Sequence, residues 1–335
     1  MSQQLLNQAG VFSYNAMNAL NALLASQGIV TQGNVWWVKP NSGTDTLDQG
    51  GGQTPGRAFD SLPFALTQSK AGQNDVILYC AESNTAANTT DYQSSNLDWN
   101  KDLVHLIGIN GGSFCAPRSR IANAAAATSF AKLFTVSASG CLIAGIEFFQ
   151  GAGATTLSAA QTCVTVTGSR NNFVNCAICG IGDATLDYAG SNSLTDTGSE
   201  NTFQGCYIGL DTQVRGTAAT YEVLISGTAA RTQFIDCQFA SYANSTAWRA
   251  VSIGTSVDRF VRFVRPIFSA SVGLPGVAIP AGAIAVTTMN GQVQVIQPAL
   301  FGYALLVSGG STVVKVLAFQ NATTVQGVGA SAASS

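Results

Sequence analysis

The sequence predicts an all-β chain wound as a parallel solenoid, with coils of about 30 residues, a helical N-terminal arm and a helix capping the first coil. Three observations predict it. A motif Phe-x-x-Cys-x-(Ile/Phe) occurs at 173–178, 203–208 and 234–239. Related forms start at Ile143, Phe263 and Val295, so the steps are 30, 30, 31, 29 and 32 residues, and a shorter step reaches Val314. Repetition at a near-constant period marks stacked supersecondary units. Second, each motif follows a short, mostly β-branched run closed by Gly, Ser or Thr, such as LFTVSASG (133–140), CVTVTGSR (163–170), SLTDTGSE (193–200) and AVSIG (250–254). Such alternating runs bounded by turn residues read as strands. Third, only 10% of the 335 residues are charged, against about 25% in a typical soluble protein. Gly, Ser, Thr, Asn and Gln fill the gap, giving a polar, scarcely charged surface.

The elements follow in chain order. Residues 1–30 form the arm, in which Ser13 can cap a helix over Tyr14–Ser26 that ends at Gly28. Met17, Leu20 and Leu24 make one stripe on it, with Ala16, Ala19 and Leu23 alongside. The stripe either packs on the chain's own solenoid or docks on another subunit or a larger assembly. On the second reading Met17, Leu20 and Leu24 are the assembly interface.

The solenoid occupies residues 31–320. A strand over Val35–Lys39 leads through a Gly-, Ser- and Asp-rich loop to a helix starting near Arg57, with Phe59, Leu62, Ala65 and Leu66 on one face. Ala71 and Gly72 end it, and the run DVILYCAE supplies the next strand. Each later coil reads as strand, turn, strand and variable loop. Neighbouring coils lie about 4.8 Å apart, so equivalent residues stack. Phe173, Phe203 and Phe234 then form one inward ladder, and Cys176, Cys206 and Cys237 another. Free Cys packs as a small hydrophobe, so the ladder reads as packing; a reactive thiol is the alternative. Asp196 stands where the preceding coil has Val166, an inward position. It calls for a partner unless a bulge or register slip turns it outward, which is the reading taken. The small, polar residues 321–335 make a flexible tail.

Chemistry is sparse. A net charge of −2 without a basic cluster excludes nucleic acid. No apolar run approaches the roughly 18 residues of a membrane span, and no signal peptide is expected at the N-terminus. Eight cysteines with one lone Cys176-x-x-Cys179 pair and a single histidine predict neither a metal site nor a cofactor. His105, on an early strand without an adjacent acid, reads as structural. The acids Asp183, Asp187, Glu200, Asp211, Glu222 and Asp236 are scattered over loops and turns. Glu200 and Asp236, near coil corners one repeat apart, are the best pair for carboxylate hydrolysis, which needs two acids roughly 5–10 Å apart. Arg118 and Arg120 could bind an anionic sugar, and Trp36, Trp37, Trp99 and Trp248 could stack on one.

Trp36-Trp37-Val38, Ser42-Gly43-Thr44-Asp45, Thr54-Pro55, Ala58-Phe59, Leu62, Ala65-Leu66, Gly72 and Asp75-Val76-Ile77 resemble, in order, the entry segment of single-stranded right-handed parallel β-helix proteins of the pectin-lyase-like superfamily. With the repeats, the resemblance covers roughly 35–319. It implies the fold; the scaffold carries lyases, hydrolases, tailspikes and virion shell proteins alike. The lyases' calcium-binding aspartates and the hydrolases' aspartate cluster with its histidine have no counterpart motif here. The resemblance therefore implies a non-enzymatic tailed-bacteriophage virion protein, a capsid cement or decoration protein or a head fibre. Such a protein assembles in the host cytoplasm, with the major capsid protein or other virion proteins as partners and a homotrimer as its oligomer. The alternative is a tail spike or fibre that binds a surface glycan or depolymerises polysaccharide as a hydrolase or lyase, with Glu200 and Asp236 as its acids.

Overall fold

The computed structural model describes residues 33–81, 90–109, 119–124, 131–151, 160–216, 220–272, 279–287, 289–308 and 314–317, together with Ala25. The arm residues Met17, Leu20 and Leu24, the tail 321–335 and Arg118 lie outside the described residues.

The strands form three parallel sheets. The first has ten: Val35–Val38, Val76–Tyr79, His105–Gly108, Leu142–Ala144, Asn172–Val174, Thr202–Gln204, Ala230–Ile235, Asp258–Val264, Gln292–Ile296 and Val314–Leu317. The second runs through eight strands from Thr90–Gln93 to Ala299–Phe301, and the third through eight from Leu97–Trp99 to Leu305–Ser308. Each coil visits the third, first and second sheets in turn, as in Thr162–Val166, Asn172–Val174 and Ala177–Cys179. This is a right-handed parallel β-helix, with the hand that parallel crossovers take.

A coil thus holds three strands where the sequence predicts two. The repeated motif is broken in its middle, because its third residue takes a left-handed conformation. Gly145, Asn175, Gly205, Asp236, Arg265 and Gln297 have φ between 50° and 65° and form a column down the corner between the first and second sheets. Gly, Asn and Asp enter this region at little cost. The bend turns the residues before it into one sheet and those after it into the next.

In-register pairing then stacks like on like. Phe173, Phe203, Phe234 and Phe263 are directly paired across the first sheet. Their rings stack at 4.8, 4.8 and 5.2 Å with interplanar angles of 15°, 9° and 9°. Burying each ring is worth roughly 1.5–3 kcal/mol, and each ring pair adds about 0.5–1.5 kcal/mol. Beside them Cys176, Cys206 and Cys237 are buried free thiols. Each donates to a strand carbonyl of the preceding coil, of Ile143, Phe173 and Phe203, at 3.4, 3.5 and 3.3 Å. Burial holds the Cys176 and Cys206 thiols well above their ordinary range, so they stay protonated.

The capping helix is shorter than the sequence suggests. Pro55–Arg57 is a 3-10 turn and Phe59 bridges Val38 in extended backbone. Helix α1 spans Leu62–Gln68, with Pro63 in its first turn and Ser61 as N-cap. Leu62, Ala65 and Leu66 pack over the core around Phe59 and Trp36. At its far end Lys101 Nζ donates to the carbonyls of Leu66, Thr67 and Ser69 at 2.6, 3.0 and 2.6 Å, satisfying groups a helix leaves open. Among the described residues no helix is long and apolar enough to cross a membrane.

Candidate functional site

Three groups of ionisable side chains stand out: those at the coil corners, one in the coil interior beneath a corner, and a buried knot beside the second sheet. Glu200 belongs to the corner between the third and first sheets. Its backbone is left-handed, φ 63°, and its N–H donates to Ala230 O at 2.7 Å. The carboxylate lies between Arg170 Nε and Arg231 Nη1, each at 2.7 Å. These hydrogen bonds and charges hold Glu200 below the usual carboxylate range. Asp236 belongs to the other corner, where Arg265 grips it with two hydrogen bonds of 2.6 and 2.7 Å and lowers its pKa.

The two acids therefore flank opposite ends of strand Ala230–Ile235. Six residues of extended chain put them roughly 20 Å apart, beyond the roughly 5–10 Å that paired-carboxylate hydrolysis needs. The sequence places them at corners, but at different ones.

Asp196 sits in register between Val166 and Ile225, so no bulge or slip turns it outward. Its buried carboxylate accepts from Thr232 Oγ1 at 2.8 Å, Asn201 Nδ2 at 2.9 Å and Gly198 N at 3.2 Å. Desolvation nevertheless raises its pKa to about 7. The reason for an inward acid lies in a ladder the sequence reading missed. Asn171 Oδ1 accepts from Cys141 N at 2.9 Å, and Asn201 Oδ1 accepts from Asn171 N at 2.9 Å. Their amides donate to the turn carbonyls of Ala138 and Gly168 at 2.9 and 3.0 Å. The next rung is Thr232, too short to reach a turn carbonyl, and Asp196 takes up both its hydroxyl and the spare Asn201 proton.

The knot is the densest set of buried charge. Arg215 ends the strand Tyr207–Arg215, whose register shifts between Leu210 and Val214. Its guanidinium lies 3.2 Å from Asp187 Oδ1 and 3.9 Å from Glu222 Oε1, and donates to Ser191 O at 2.8 Å. Its carbon centre stands 5.2 Å from the centre of the Trp248 ring. Ser193 Oγ donates to Glu222 Oε1. Burial raises Glu222 while Arg215 and Ser193 oppose the rise. The three charged side chains are only 1–5% exposed, so the knot is closed to a polymer. Asp187 and Glu222 were visible in the sequence as scattered acids; Arg215, which joins them, was not.

Of the other residues singled out in the sequence, Asp183 accepts from Thr185 N and Oγ1 at 2.8 and 2.7 Å, and Asp211 is exposed on its strand. His105 Nδ1 accepts from Leu142 N at 3.0 Å and Nε2 faces Asn74 Oδ1 at 3.2 Å. Nε2 thus carries the proton, and burial lowers the ring's pKa to about 4. Arg120 pairs with Glu147 at 2.9 Å and covers the Phe149 ring. Trp36, Trp37, Trp99 and Trp248 are 8%, 4%, 0% and 0% exposed, so none offers a face for stacking a sugar. Among the described residues no three His, Cys, Asp or Glu side chains gather as a metal set.

Three parallel sheets and a capped first coil define the chain as a parallel β-helix protein. No known protein family and no curated protein matches its sequence. Solved structures of similar shape include the pectin methylesterase PemA from Erwinia chrysanthemi, with a TM-score of 0.49 and 14% identity over 83% of this chain and 81% of that one. A pectin methylesterase from Aspergillus niger gives a TM-score of 0.45 and 13% identity over 88% and 93%. Pectate lyase Pel9A gives 0.45 and 13% over 87% and 80%. These likenesses are of shape alone.

Proposed function

We propose that the chain is a non-enzymatic structural protein of a tailed-bacteriophage virion, a capsid cement or decoration protein or a head fibre. One observation carries the reading: four of the six acids that the sequence offers for polysaccharide cleavage, the Glu200 and Asp236 pair among them, are held by cations at the corners or sealed in the knot, while Asp183 caps a turn through Thr185 and Asp211 stands exposed on its strand. Glu200 is clasped by two arginines, Asp236 by one, and Asp187 and Glu222 lie buried on Arg215. A general acid needs a raised pKa and an open approach to its substrate; Glu200 and Asp236 have lowered values, and Glu222 has no approach. The low share of charged residues, 10% of the chain, and the resemblance over 35–319 add to it. In this reading three copies associate, and Met17, Leu20 and Leu24 attach them to the major capsid protein.

The test is quantitative mass spectrometry of purified particles, giving the copy number of this chain against the major shell protein. A ratio near one, or a simple fraction of it, is expected. A handful of copies would move the protein to the tail and restore the depolymerase reading, and absence from the particle would end the virion reading. Replacing Met17, Leu20 and Leu24 with Asp is expected to abolish particle binding while the coils stay folded; binding that survives removes the arm from the docking contact.

A further inference from the structure

The first sheet has two apolar sides. Its inward residues, among them Trp36, Ile77, Leu106, Ile143 and Phe173, belong to the main core. Its outward residues form a second, separate cluster: Trp37, Val76, Leu78, Ile107, Leu142, Ala144 and Val174, joined by Ala58 and by the partly buried Val35. All seven outward residues are at most 8% exposed. The outer face of a sheet faces water unless something lies over it, and apart from Ala58 the cluster's described members are all strand residues. The apolar cluster reaches the fifth strand, whose outward positions are Asn172 and Val174, and then stops: the outward positions of the sixth are Thr202 and Gln204, the latter exposed.

We infer that this strip is the seat of residues Tyr14–Ser26 of the same chain, laid across the five strands with Met17, Leu20 and Leu24 against the sheet. Three observations converge. The first is length. Five strands span four spacings of about 4.8 Å, roughly 19 Å, and a helix of 13 residues is about 20 Å long. The second is where the chain enters. Asn34 N donates to the buried Asp75 Oδ1 at 2.7 Å, and a Cβ on Gly33 would meet that oxygen at 2.2 Å. The upstream chain is thus pinned where the first strand of this very sheet begins. Residues 27–32 can reach roughly 20 Å, enough to turn the helix back over the face. The third is chemistry. The strip is apolar apart from His105 and Asn172, which share a row with Val76 and Leu142, and Met17, Leu20 and Leu24 form the apolar stripe of the segment. Ala25, about 100° round the helix from the stripe, is helical and exposed, as the seated orientation requires.

Tethering favours the chain's own segment over a neighbour's, since its effective concentration is in the millimolar range. The inference does not depend on the virion reading. If both hold, docking exchanges one apolar partner of the stripe for another.

Photo-crosslinking of the full-length protein tests it, with benzoylphenylalanine placed at Leu20 and, in a second preparation, at Ala25. Isotopically light and heavy chains are mixed before irradiation. The Leu20 probe is expected to join peptides containing Val76–Tyr79, His105–Gly108 or Leu142–Ala144, all light–light or heavy–heavy, with the Ala25 probe several-fold weaker. Light–heavy products would hand the strip to a second copy, and products elsewhere, or equal yields from both probes, would overturn the seat outright. As a second reading, Leu20→Asp with Leu24→Asp is expected to raise binding of a hydrophobic dye several-fold while the coils' far-ultraviolet circular dichroism is unchanged. Unchanged dye binding would also refute the inference. None of these measurements involves particles, so their failure is separate from failure of the virion reading.

Discussion

Asp196 makes the stability of the coil depend on pH in an unusual direction. Its carboxyl is wholly buried, and desolvation lifts its pKa from 3.8 to about 7 against the pull of Thr232, Asn201 and Gly198. An unfolded aspartate keeps a value near 3.9, so between about pH 4 and pH 7 the folded chain binds the extra proton. Stability therefore falls as pH rises through that window, and it levels off above it. The shift is about 3 units and each unit is worth about 1.4 kcal/mol, so the loss is about 4 kcal/mol. Asp196→Asn removes the titration and keeps the shape. The amide oxygen can still accept from Gly198 and Asn201, and its NH2 can donate to Thr232 Oγ1. The variant is expected to match the natural chain at pH 4 and to exceed it by a few kcal/mol at pH 8. Denaturant melts of both chains at closely spaced pH values measure the difference, in which the titrations common to both chains cancel, including those of Glu222 and of Asp91, a second buried carboxyl that desolvation raises. Parallel curves, or a natural chain more stable than the variant at pH 8, would refute the argument that burial dominates at this site.

Other expectations are simpler to read. Phe203→Ala opens a cavity in the middle of the phenylalanine stack and should cost about 3–5 kcal/mol, measured by the same melts. Arg215→Met leaves Asp187 and Glu222 buried without their cation, for a loss of about 3–5 kcal/mol; adding Glu222→Gln should recover part of it, and no recovery would mean the knot's charges are not coupled. Glu200→Gln and Asp236→Asn should leave folding and particle incorporation unchanged. Any glycan cleavage that vanished with either would return them to catalysis.

What the sequence made legible was what repeats in kind. The Phe and Cys columns keep their identity from coil to coil, so a period near 30 residues announces both the stacking and its inward side. The bend that splits the motif was hidden because its residue changes from Gly to Asn, Asp, Arg and Gln while only its backbone repeats. The asparagine ladder was hidden for the same reason: Cys141, Asn171, Asn201 and Thr232 occupy one column with three chemistries. Asp196 looked like a slip because its compensation sits one coil ahead, at Thr232. Arg215 could not be found by period at all. Its partners stand at Asp187, Ser191, Glu222 and Trp248, in loops and strand ends of unequal length, and only the closed fold gathers them.

The left-handed corner column has a consequence for what the molecule can be made into. Gly145, Asn175, Gly205, Asp236, Arg265 and Gln297 share one backbone shape across five residue types, which means that the corner fixes a position without fixing a chemistry. It is a ruler with blank marks, one at each strand spacing. Unbranched side chains that tolerate the left-handed backbone, chosen for their ability to hold an ion, a sugar or an antibody, can be written along it in a straight row where the neighbouring rung leaves room, at a pitch set by hydrogen bonds they do not touch. The phenylalanines behind them would not register the change.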